Sequence, residues 1–379
     1  MIEDIKYLKS WIENAIGQVR NLKSSSFYDK EKKIIYMIGN TSTKEENPRP
    51  YLTPLRQVSE GYIIGSIVFT QAQAIILASM IDGVVDYIFL DAEKKLPTIL
   101  KPDYEPYKSF EMYHLIPSRH SAEYGNISSA CAKIIKKSST FEYKANDLTV
   151  DSTWNFLISK LTDLSGKKIL IIGSGNIGLK LSLKLVESGA EVILYSRRKE
   201  NLREIVSSLN SIKNKFVLSN IILSDNLIHS SNNADVLIGC SSSTPIIDKD
   251  LISIMNKDGL VIDLGKGTIS DDGIHECTKK KIKTWRVDIT PMLDSIISVS
   301  LAMEKLNNIS YGSKLLSEGF SIVSGGYIGN RYDIVVDNYQ NPKRIIGVCD
   351  RPGKFMLQID SKGQENIKIT ENHIKLINK

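Results

Sequence analysis

The chain has 379 residues, of which 42% are hydrophobic and 24% are charged. This length predicts two or three domains around a sizeable core, and the composition is typical of a globular rather than a disordered chain. The net charge of +6 comes from scattered basic residues, with only short clusters such as Lys279–Lys281. We therefore expect no nucleic-acid site.

The cysteines and the N-terminus indicate a cytoplasmic protein without a metal site. The first 19 residues predict an amphipathic helix with acidic side chains, which is not the pattern of a signal peptide. No run approaches the ~18 apolar residues of a membrane span. No cysteine lies in a C-x-x-C pair or in a His/Cys cluster with zinc spacing, so free thiols are expected at Cys131, Cys240, Cys277 and Cys349.

Residues 1–150 predict a mixed α/β domain that holds the substrate. Strands are expected at 33–39 and 86–91, which are short apolar runs rich in Ile, Tyr and Phe. Helices are expected at 70–83 and 121–137, where apolar residues recur with helical spacing.

A helix at 151–164 is expected to connect this domain to the next one. Asp151 or Ser152 can cap its N-terminus, because short polar side chains accept hydrogen bonds from the first free N–H groups. Its apolar stripe consists of Trp154, Leu157, Ile158 and Leu161.

Strands and helices alternate within residues 151–290. The strands are continuous apolar runs, as in a parallel sheet covered by helices on both faces. Strands are predicted at 168–172, 191–195, 216–218, 235–239, 259–263 and 282–287, and helices at 176–188, 199–209 and 248–256. We therefore predict a doubly wound, Rossmann-type domain here.

Two further parts follow this domain. An apolar-rich helix at 291–309 begins near Pro291 and is expected to return across the cleft, which makes 291–310 a separate part. Residues 311–379 carry short apolar runs between Gly, Pro and Asn turns, so they predict a small β-rich appendage with a last strand in ENIKIT. The predicted fold class is thus α/β, with a Rossmann sheet between an α/β domain and a β-rich part.

Residues 173–178 match the G-x-G-x-x-G pattern of dinucleotide-binding loops. A strand precedes the pattern, a helix opens inside it, and a second strand follows about 20 residues on. The first glycine permits the turn, the second admits the pyrophosphate, and the third lets the helix pack on the strand. Free N–H groups at the helix start receive the phosphates. The predicted cofactor residues here are Gly173, Ser174, Gly175, Asn176, Ile177 and Gly178.

The end of the second strand of this domain indicates which dinucleotide binds. An NAD site places Asp or Glu there, to accept the ribose hydroxyls. This chain has Ser196, Arg197 and Arg198 instead, and the nearest acid is Glu200. Ser196 can donate to a 2′-phosphate, while the guanidinium groups can pair with it or stack on adenine. We expect NADP rather than NAD.

The segment 167–202, KKILIIGSGNIGLKLSLKLVESGAEVILYSRRKENL, resembles the cofactor domain shared by shikimate dehydrogenases and glutamyl-tRNA reductases. Residues 233–252 and 255–269 resemble the same families, and 255–269 is equally similar to methylene-tetrahydrofolate dehydrogenases and adenosylhomocysteine hydrolases. The resemblance covers about 140–305 and implies NADP, with the reaction in a cleft between the two domains. It does not extend to the ends of the chain, so it implies no particular substrate.

Two loops of this domain are expected near the nicotinamide end of the cofactor. The resemblance implies that the loop after the fourth strand passes along the nicotinamide ribose, where Cys240, Ser241 and Ser242 are small enough to fit. Cys240 is expected to be a wall residue, since no histidine partner for a nucleophile is recognisable. Gly265 and Lys266 follow the next strand, at the carboxyl edge where ligands bind. Ser and Gly are also common in ordinary turns.

The first candidate for catalysis is Asn146–Asp147. Shikimate dehydrogenases carry an Asn-x-Asp at a comparable place, and adenosylhomocysteine hydrolases carry an Asp-Asn pair. This chain lacks the intervening residue and the glycine that follows in shikimate dehydrogenases. Asp147 could orient a substrate hydroxyl or a lysine, or it could simply cap a helix.

Two further candidates lie in the first domain. Asp91-Ala92-Glu93-Lys94-Lys95 follows a strand, and a lysine beside carboxylates can act as an acid or base. Lys94 is preferred, Lys95 is not excluded, and a solvated turn is the alternative. The other candidate is His120, which titrates near neutrality, with Arg119 to receive an anion and His114 nearby. A loop without a role is its alternative.

Together these features predict a cytoplasmic NADP-dependent oxidoreductase, expected as a homodimer. It would transfer a hydride between nicotinamide and a small polar, carboxylated substrate, with Lys94, Asp147 and His120 as catalytic residues. Two alternatives stay open. The enzyme could keep a tightly bound NAD(P) as a redox relay in a hydrolase or lyase reaction, or the protein could be a non-catalytic sensor or assembly protein.

Overall fold

The computed structural model describes residues 2–41, 48–96, 119–241, 245–351 and 353–377. The chain divides into two compact units, Met1–Asp294 and Ser295–Lys379. The described residues of the first unit form two sheets, and those of the second unit form one. No described helix is long and apolar enough to cross a membrane.

The first sheet has five strands. They are β1 (Lys33–Asn40), β2 (Tyr51–Gln57), β3 (Gly61–Val68), β4 (Tyr87–Asp91) and β5 (Ser139–Tyr143). The spatial order is β2-β3-β1-β4-β5, and only β2 is antiparallel to its neighbour. Because β1, β4 and β5 are parallel, their carboxyl ends at Asn40, Asp91 and Tyr143 lie on one edge of the sheet.

Four helices belong to the first part of the chain. They are α1 (Ile2–Ser24), α2 (Gln71–Ile81), α3 (Arg119–Ala132) and α4 (Ala145–Leu161). Thr70 caps α2 by accepting a hydrogen bond from the N–H of Gln73, at 3.1 Å. The α2 helix is buried almost throughout, and Ile12 and Val19 of α1 are fully buried in the same core. Asn126 interrupts α3 with φ 49° and ψ −116°.

The second sheet has six parallel strands and is wound on both faces. Its elements are β6 (Lys168–Ile172), α5 (Asn176–Glu187), β7 (Glu191–Tyr195), α6 (Leu202–Ile212), β8 (Ile221–Ser224), α7 (Leu227–Ser231), β9 (Val236–Gly239), α8 (Lys249–Ser253), β10 (Leu260–Asp263), α9 (Asp271–Lys280) and β11 (Lys283–Trp285). The order β8-β7-β6-β9-β10-β11 is the 3-2-1-4-5-6 order of the Rossmann fold. Ile169 and Ile171 enter one core, while Leu170 and Ile172 enter the core on the opposite face. The predicted Rossmann sheet is confirmed.

The α4 helix begins at Ala145, so the predicted start at Asp151 is wrong. Lys144 is the N-cap residue and makes no side-chain cap bond. Asp147 therefore lies in the first turn, where the helix dipole favours a carboxylate. Asp151 and Ser152 lie inside the helix, and Asp151 pairs with Lys184 of α5 instead of capping α4.

The strand predicted at 216–218 is also wrong. Phe216 and Leu218 are 80% and 96% exposed, and the third strand of this sheet is β8, a few residues later. The apolar runs at 216–218 and 221–223 stand close together in the sequence. Among them only Ile221, in the second run, is fully buried in the core of the sheet.

The second unit contains a five-stranded sheet and a helix. Its elements follow α10 (Thr290–Ile309), which spans the boundary between the units, and they are β12 (Gly312–Leu315), β13 (Ser321–Ser324), β14 (Ile334–Val336), β15 (Ile345–Arg351), β16 (Lys354–Phe355) and α11 (Ser361–Ile377). The strands are paired in sequence order, and β13 and β14 alone among these pairs are parallel.

The strand predicted in ENIKIT is wrong because these residues lie in α11. Asp360 accepts a hydrogen bond from the N–H of Gly363 at 2.9 Å, which caps the helix start. Asn366 and Thr370, one turn apart, are buried positions on the helix. The alternation of Ile and polar residues at 367–370 has the period of a strand over too short a stretch to decide the structure.

Candidate functional site

The loop between β6 and α5 requires glycine at two of the three glycine positions of its pattern. Gly173 has φ +124°, and its N–H donates to the carbonyl of Tyr195 at 2.8 Å. A Cβ atom on Gly178 would lie 2.0 Å from the carbonyl oxygen of Gly173, so this glycine lets α5 pack on the turn. At Gly175, by contrast, a Cβ would meet open space. Gly175 is the N-cap residue of α5 and leaves the first turn without a side-chain cap.

A cavity of about 540 Å³ lies beyond the carboxyl ends of β6, β7 and β9. It is lined by Ile172, Gly173, Ser174, Gly175, Tyr195, Ser196, Arg197, Arg198, Cys240, Ser241 and Ile246. The strand order reverses between β6 and β9, which is where ligands bind in open parallel sheets. The cavity thus joins the three predicted cofactor segments. Asn176, Ile177 and Gly178 lie in the first turn of α5, and Ser242 lies outside the described residues.

The rim of the cavity at the end of β7 carries a buried hydroxyl and two exposed guanidinium groups. The Ser196 Oγ accepts hydrogen bonds from the Ser174 hydroxyl at 2.8 Å and from the N–H of Arg198 at 3.2 Å. Its own hydroxyl hydrogen is therefore free to donate to a ligand. Arg197 and Arg198 are exposed, and neither pairs with a carboxylate among the described residues. An anion is the ligand that such a rim fits.

The loop after β9 presents a second polar group. The Ser241 Oγ is buried and has no hydrogen-bond partner among the described residues, which is costly unless a ligand or water supplies one. Gly265 lies against this loop, since a Cβ on it would be 1.8 Å from the Ser241 carbonyl oxygen. Burial, with a smaller contribution from the charge of Asp263, raises the pKa of the Cys240 thiol to about 12. Cys240 is therefore a protonated wall residue and a poor nucleophile at neutral pH.

Asp263 at the end of β10 anchors the loop that carries Lys266. Burial acts to raise the pKa of Asp263, but hydrogen bonds from the N–H of Gly267 at 2.7 Å and the hydroxyl of Thr268 at 2.8 Å outweigh it. The pKa of this carboxyl is consequently below its usual range. The Lys266 Nζ reaches the Tyr51 hydroxyl of β2 at 3.4 Å. This contact joins the carboxyl edges of the two sheets.

A cluster of one lysine and two carboxylates lies at the carboxyl ends of β1 and β4. The Lys95 Nζ is 2.8 Å from Asp91 Oδ2 and 2.8 Å from Glu93 Oε2, and it donates to the carbonyl of Asn40 at 3.3 Å. Asp91 is fully buried, and its burial raises its pKa despite the opposing charge of Lys95. The Lys95 side chain is 18% exposed, so the amine is shielded but reachable.

The two lysines that the sequence left open occupy different places. Lys94 is exposed to solvent, whereas Lys95 lies inside the cluster. Asn40 adds an acceptor without a partner, because its Oδ1 is buried and makes no hydrogen bond within the described residues. The Asn40 side-chain amide donates to the carbonyl of Glu93 at 3.2 Å. The cluster can therefore hold the Lys95 amine between two carboxylates and accept a hydrogen bond from a ligand at Asn40.

Asp147 lies beside this cluster. It is placed between Lys144, the N-cap residue of α4, and Lys180 of α5. It pairs with Lys144 at 2.6 Å and with Lys180 of α5. Burial acts to raise the pKa of Asp147, but the hydrogen bonds from Lys144 and Lys180 outweigh it and lower the pKa. Asp147 is thus a carboxylate engaged by two amines, in a position to orient Lys180.

Lys180 and Asn176 connect α5 to the lysine–carboxylate cluster. The Lys180 Nζ is 3.8 Å from Glu93 Oε1, and the N–H of Asn146 donates to Glu93 Oε2 at 3.1 Å. The Asn146 side-chain amide also donates to Asn176 Oδ1 at 3.2 Å. Glu93 therefore contacts α4 through Asn146 and α5 through Lys180.

The remaining predicted catalytic residues cannot be placed. Arg119 and His120 begin α3, but their side chains lie outside the described residues, and so does His114. Within the described ranges, no group of three or more His, Cys, Asp or Glu residues could hold a metal ion.

Sequence reasoning missed Asn40 and Lys180. Asn40 ends the buried run of β1, so a polar residue at the carboxyl end of that strand was the available indication. Lys180 is a charged residue among the apolar positions of α5, and nothing local connects it to Glu93.

Comparisons with known proteins find similarity to dehydrogenases and reductases in the part of the chain that contains the second sheet. Residues 157–283 match the family model described as Shikimate / quinate 5-dehydrogenase. Glutamyl-tRNA reductase of Methanococcus aeolicus is 24% identical over 186 residues, which are 48% of this chain and 45% of that protein. The same enzyme of Methanococcus maripaludis (strain C7) is 30% identical over 153 residues, 39% of this chain and 37% of that protein.

Among solved structures, shikimate 5-dehydrogenase from Thermus thermophilus, in complex with NADP(H) and shikimate, is similar at 15% identity and a TM-score of 0.28. The similarity covers 38% of this chain and 51% of that one. The chain spans less than half the length of the curated glutamyl-tRNA reductases that it matches. The predicted resemblance to shikimate dehydrogenases and glutamyl-tRNA reductases is confirmed for the segment that contains the Rossmann sheet.

Proposed function

We propose that the protein is an NADP-dependent oxidoreductase that acts on a small polar substrate. The observation that carries the proposal is the cavity at the switch point of the second sheet, with Ser196, Arg197 and Arg198 at its rim. The family match over residues 157–283 supports a dehydrogenase-type reaction for this domain. The substrate would bind where the carboxyl edges of the two sheets of the first unit meet.

The residues of the cavity fit NADP. The open space at Gly175 admits a pyrophosphate at the start of α5, where the first-turn N–H groups lack a side-chain cap. The free hydroxyl hydrogen of Ser196 and the two arginines fit the 2′-phosphate. The unpartnered hydroxyl of Ser241 fits a ribose oxygen. When bound, the nicotinamide donates or accepts the hydride.

The lysine–carboxylate cluster supplies the proton. Lys95 would donate or accept it at Nζ, while Asp91 and Glu93 hold the amine in place. Asn40 Oδ1 would accept a hydrogen bond from a substrate hydroxyl or amine. Asp147 would act on this site through Lys180. Lys95 replaces Lys94 in this proposal, because Lys94 faces solvent.

Three further expectations stay predictions. They are a catalytic His120, a carboxylated substrate bound by Arg119, and a cytoplasmic homodimer. None of them is needed for the cofactor cavity or for the cluster around Lys95.

The experiment that tests the proposal follows nicotinamide oxidation with a panel of 2-oxo acids, aldehydes and imines, and nicotinamide reduction with hydroxy and amino acids. We expect turnover with NADPH or NADP by the wild type and a loss of about 100-fold or more in Lys95→Met. Lys94→Met is the matched control and should keep its activity. Turnover that survives Lys95→Met but is lost in Lys94→Met would reverse the assignment, and NADPH binding without turnover of any panel member would contradict the enzyme proposal.

A further inference from the structure

We infer that Glu93 and Lys180 couple the cofactor helix α5 to the amine of Lys95, so that a bound cofactor holds Lys95 in its site. This inference rests on the proposed function for the identity of the cofactor and for the role of Lys95. Glu93 and Lys180 are positioning residues in this account, because each acts through Lys95.

Glu93 lies where the turn after β4 meets α4 and α5. Its Oε2 pairs with Lys95 at 2.8 Å and accepts the N–H of Asn146 at 3.1 Å. Its Oε1 faces the Lys180 Nζ at 3.8 Å. The Glu93 side chain is only 10% exposed, so solvent screens these interactions less than it screens surface pairs. A displacement of Lys180 would therefore be felt at Glu93 and, through the other carboxylate oxygen, at Lys95.

Both bridges to the cluster start from the first two turns of α5. Asn176 is the first residue of the helix and contacts Asn146, while Lys180 lies one turn further on and contacts Glu93. The same helix start borders the cavity at Gly175. A ligand that fixes the N-terminus of α5 also fixes the backbone at Lys180, because one turn of an α-helix is held by its own backbone hydrogen bonds.

A neighbouring ion pair shows what is specific about Lys180. Lys180–Asp147 and Lys184–Asp151 join the same two helices one turn apart, and their side chains are almost equally exposed, 36% and 36% against 35% and 36%. Among the described residues, Lys180 but not Lys184 also faces Glu93. Lys180 is partly exposed and its pair with Glu93 is long, so this pair contributes little on its own, and a ligand that fixes α5 should strengthen it.

The test measures the chemical reactivity of Lys95 with and without NADPH. Limited acetylation with acetic anhydride is followed by mass spectrometry of the peptide that contains Lys94 and Lys95. Lys94 is exposed and serves as the internal reference. In the wild type, saturating NADPH should lower the labelling of Lys95 relative to Lys94 by about fivefold, the low end of site-to-site coupling. The readout needs neither a substrate nor turnover.

The variants separate coupling from direct shielding by the cofactor. The NADPH effect on Lys95 should disappear in Lys180→Met and in Glu93→Gln, return in Lys180→Arg, and persist in the matched control Lys184→Met. Circular dichroism of each variant checks that it is folded, and Lys180→Arg keeps the charge if Lys180→Met fails to fold. An NADPH effect that survives in both Lys180→Met and Glu93→Gln would mean direct shielding and overturn the inference.

Two other outcomes also decide the matter. If NADPH binds to the wild type but leaves the labelling of Lys95 unchanged, the coupling is wrong while the proposed cofactor stands. If NADPH does not bind at all, as judged by nicotinamide fluorescence, the proposed function fails and the coupling fails with it.

Discussion

The carbonyl oxygen of Gly173 occupies the place where residue 178 would carry a side chain. A Cβ on Gly178 would lie 2.0 Å from that oxygen, whereas a Cβ on Gly175 would meet nothing within 4 Å. The two glycines therefore have separate roles. Gly178 is needed for the packing of α5 on the turn, and Gly175 keeps the cavity open to a ligand.

This difference predicts that two alanine variants have different main effects, one on stability and one on cofactor binding. Gly178→Ala should lower the free energy of unfolding by about 1–3 kcal/mol, because a backbone atom must move to admit the methyl group. Gly175→Ala should lower the free energy of unfolding by less than about 1 kcal/mol, the cost of placing alanine at an N-cap, and it should weaken NADPH binding. Urea denaturation and a fluorescence titration measure the two effects. A Gly178→Ala protein as stable as the wild type would contradict the packing role.

The buried pair of Asp91 and Lys95 predicts a large cost for removing one partner. Lys95→Met should lower the free energy of unfolding by about 2–4 kcal/mol, because the fully buried Asp91 would lose the positive charge that opposes the cost of its burial. The double variant Asp91→Asn/Lys95→Met should recover part of this loss. Urea denaturation of the two single variants and the double variant gives the coupling energy. Additive losses would show that the pair is not coupled.

Asp263 predicts a dependence of stability on acid pH. Its folded-state pKa is lowered by hydrogen bonds from Gly267 and Thr268, so the unfolded state binds the proton first as the pH falls. The stabilisation is complete above the ordinary Asp pKa of about 3.9 and is lost as the pH falls through the lower folded-state value. In Asp263→Asn the free energy of unfolding should therefore fall less steeply as the pH is lowered. Asp258→Asn, at an exposed position, is the control and should not change this slope. An equally steep fall in the free energy of unfolding for wild type and Asp263→Asn would contradict the predicted contribution of Asp263.

Cys240 predicts slow alkylation at neutral pH. With a pKa of about 12, its thiolate is roughly three thousandfold rarer at neutral pH than that of a free cysteine with a pKa near 8.5. Iodoacetamide labelling at pH 7, followed by peptide mass spectrometry, should modify Cys240 far more slowly than a reference thiol in the same tube. Labelling at the rate of the reference thiol would assign Cys240 a reactive role that this account does not give it.

The Rossmann sheet, apart from its strand β8, could be predicted from the sequence because each of its indications is local. The glycine pattern, the strand before it and the Ser-Arg-Arg end of β7 lie within residues 167–202, and β6 is apolar at every position that faces a core. Strands β2, β3 and β5 escaped prediction. β2 is largely exposed and β5 is short and mostly polar, so neither shows a clear apolar pattern, whereas β3 is an apolar run that contains two glycines.

The cluster around Lys95 was only half predictable. Its position after β4 follows from the rule that ligands bind at the carboxyl ends of parallel strands. The choice between Lys94 and Lys95 depends on the direction of each side chain in a turn, which no periodicity determines. The contacts of Glu93 with Asn146 and Lys180 join residues far apart in the chain, so they exist only after both sheets have formed.

The assignment of NADP to the cavity is tested by titration with NADPH and, separately, with NADH, followed by nicotinamide fluorescence. The wild type is compared with Arg197→Ala/Arg198→Ala, and Arg203→Ala on α6, which does not line the cavity, is the control. We expect NADPH to bind more tightly than NADH to the wild type. The double variant should lose about 10- to 100-fold in NADPH affinity, as expected for charge-assisted hydrogen bonds to a phosphate. The control should lose none. Equal affinities for the two cofactors, unchanged by the double variant, would contradict the assignment.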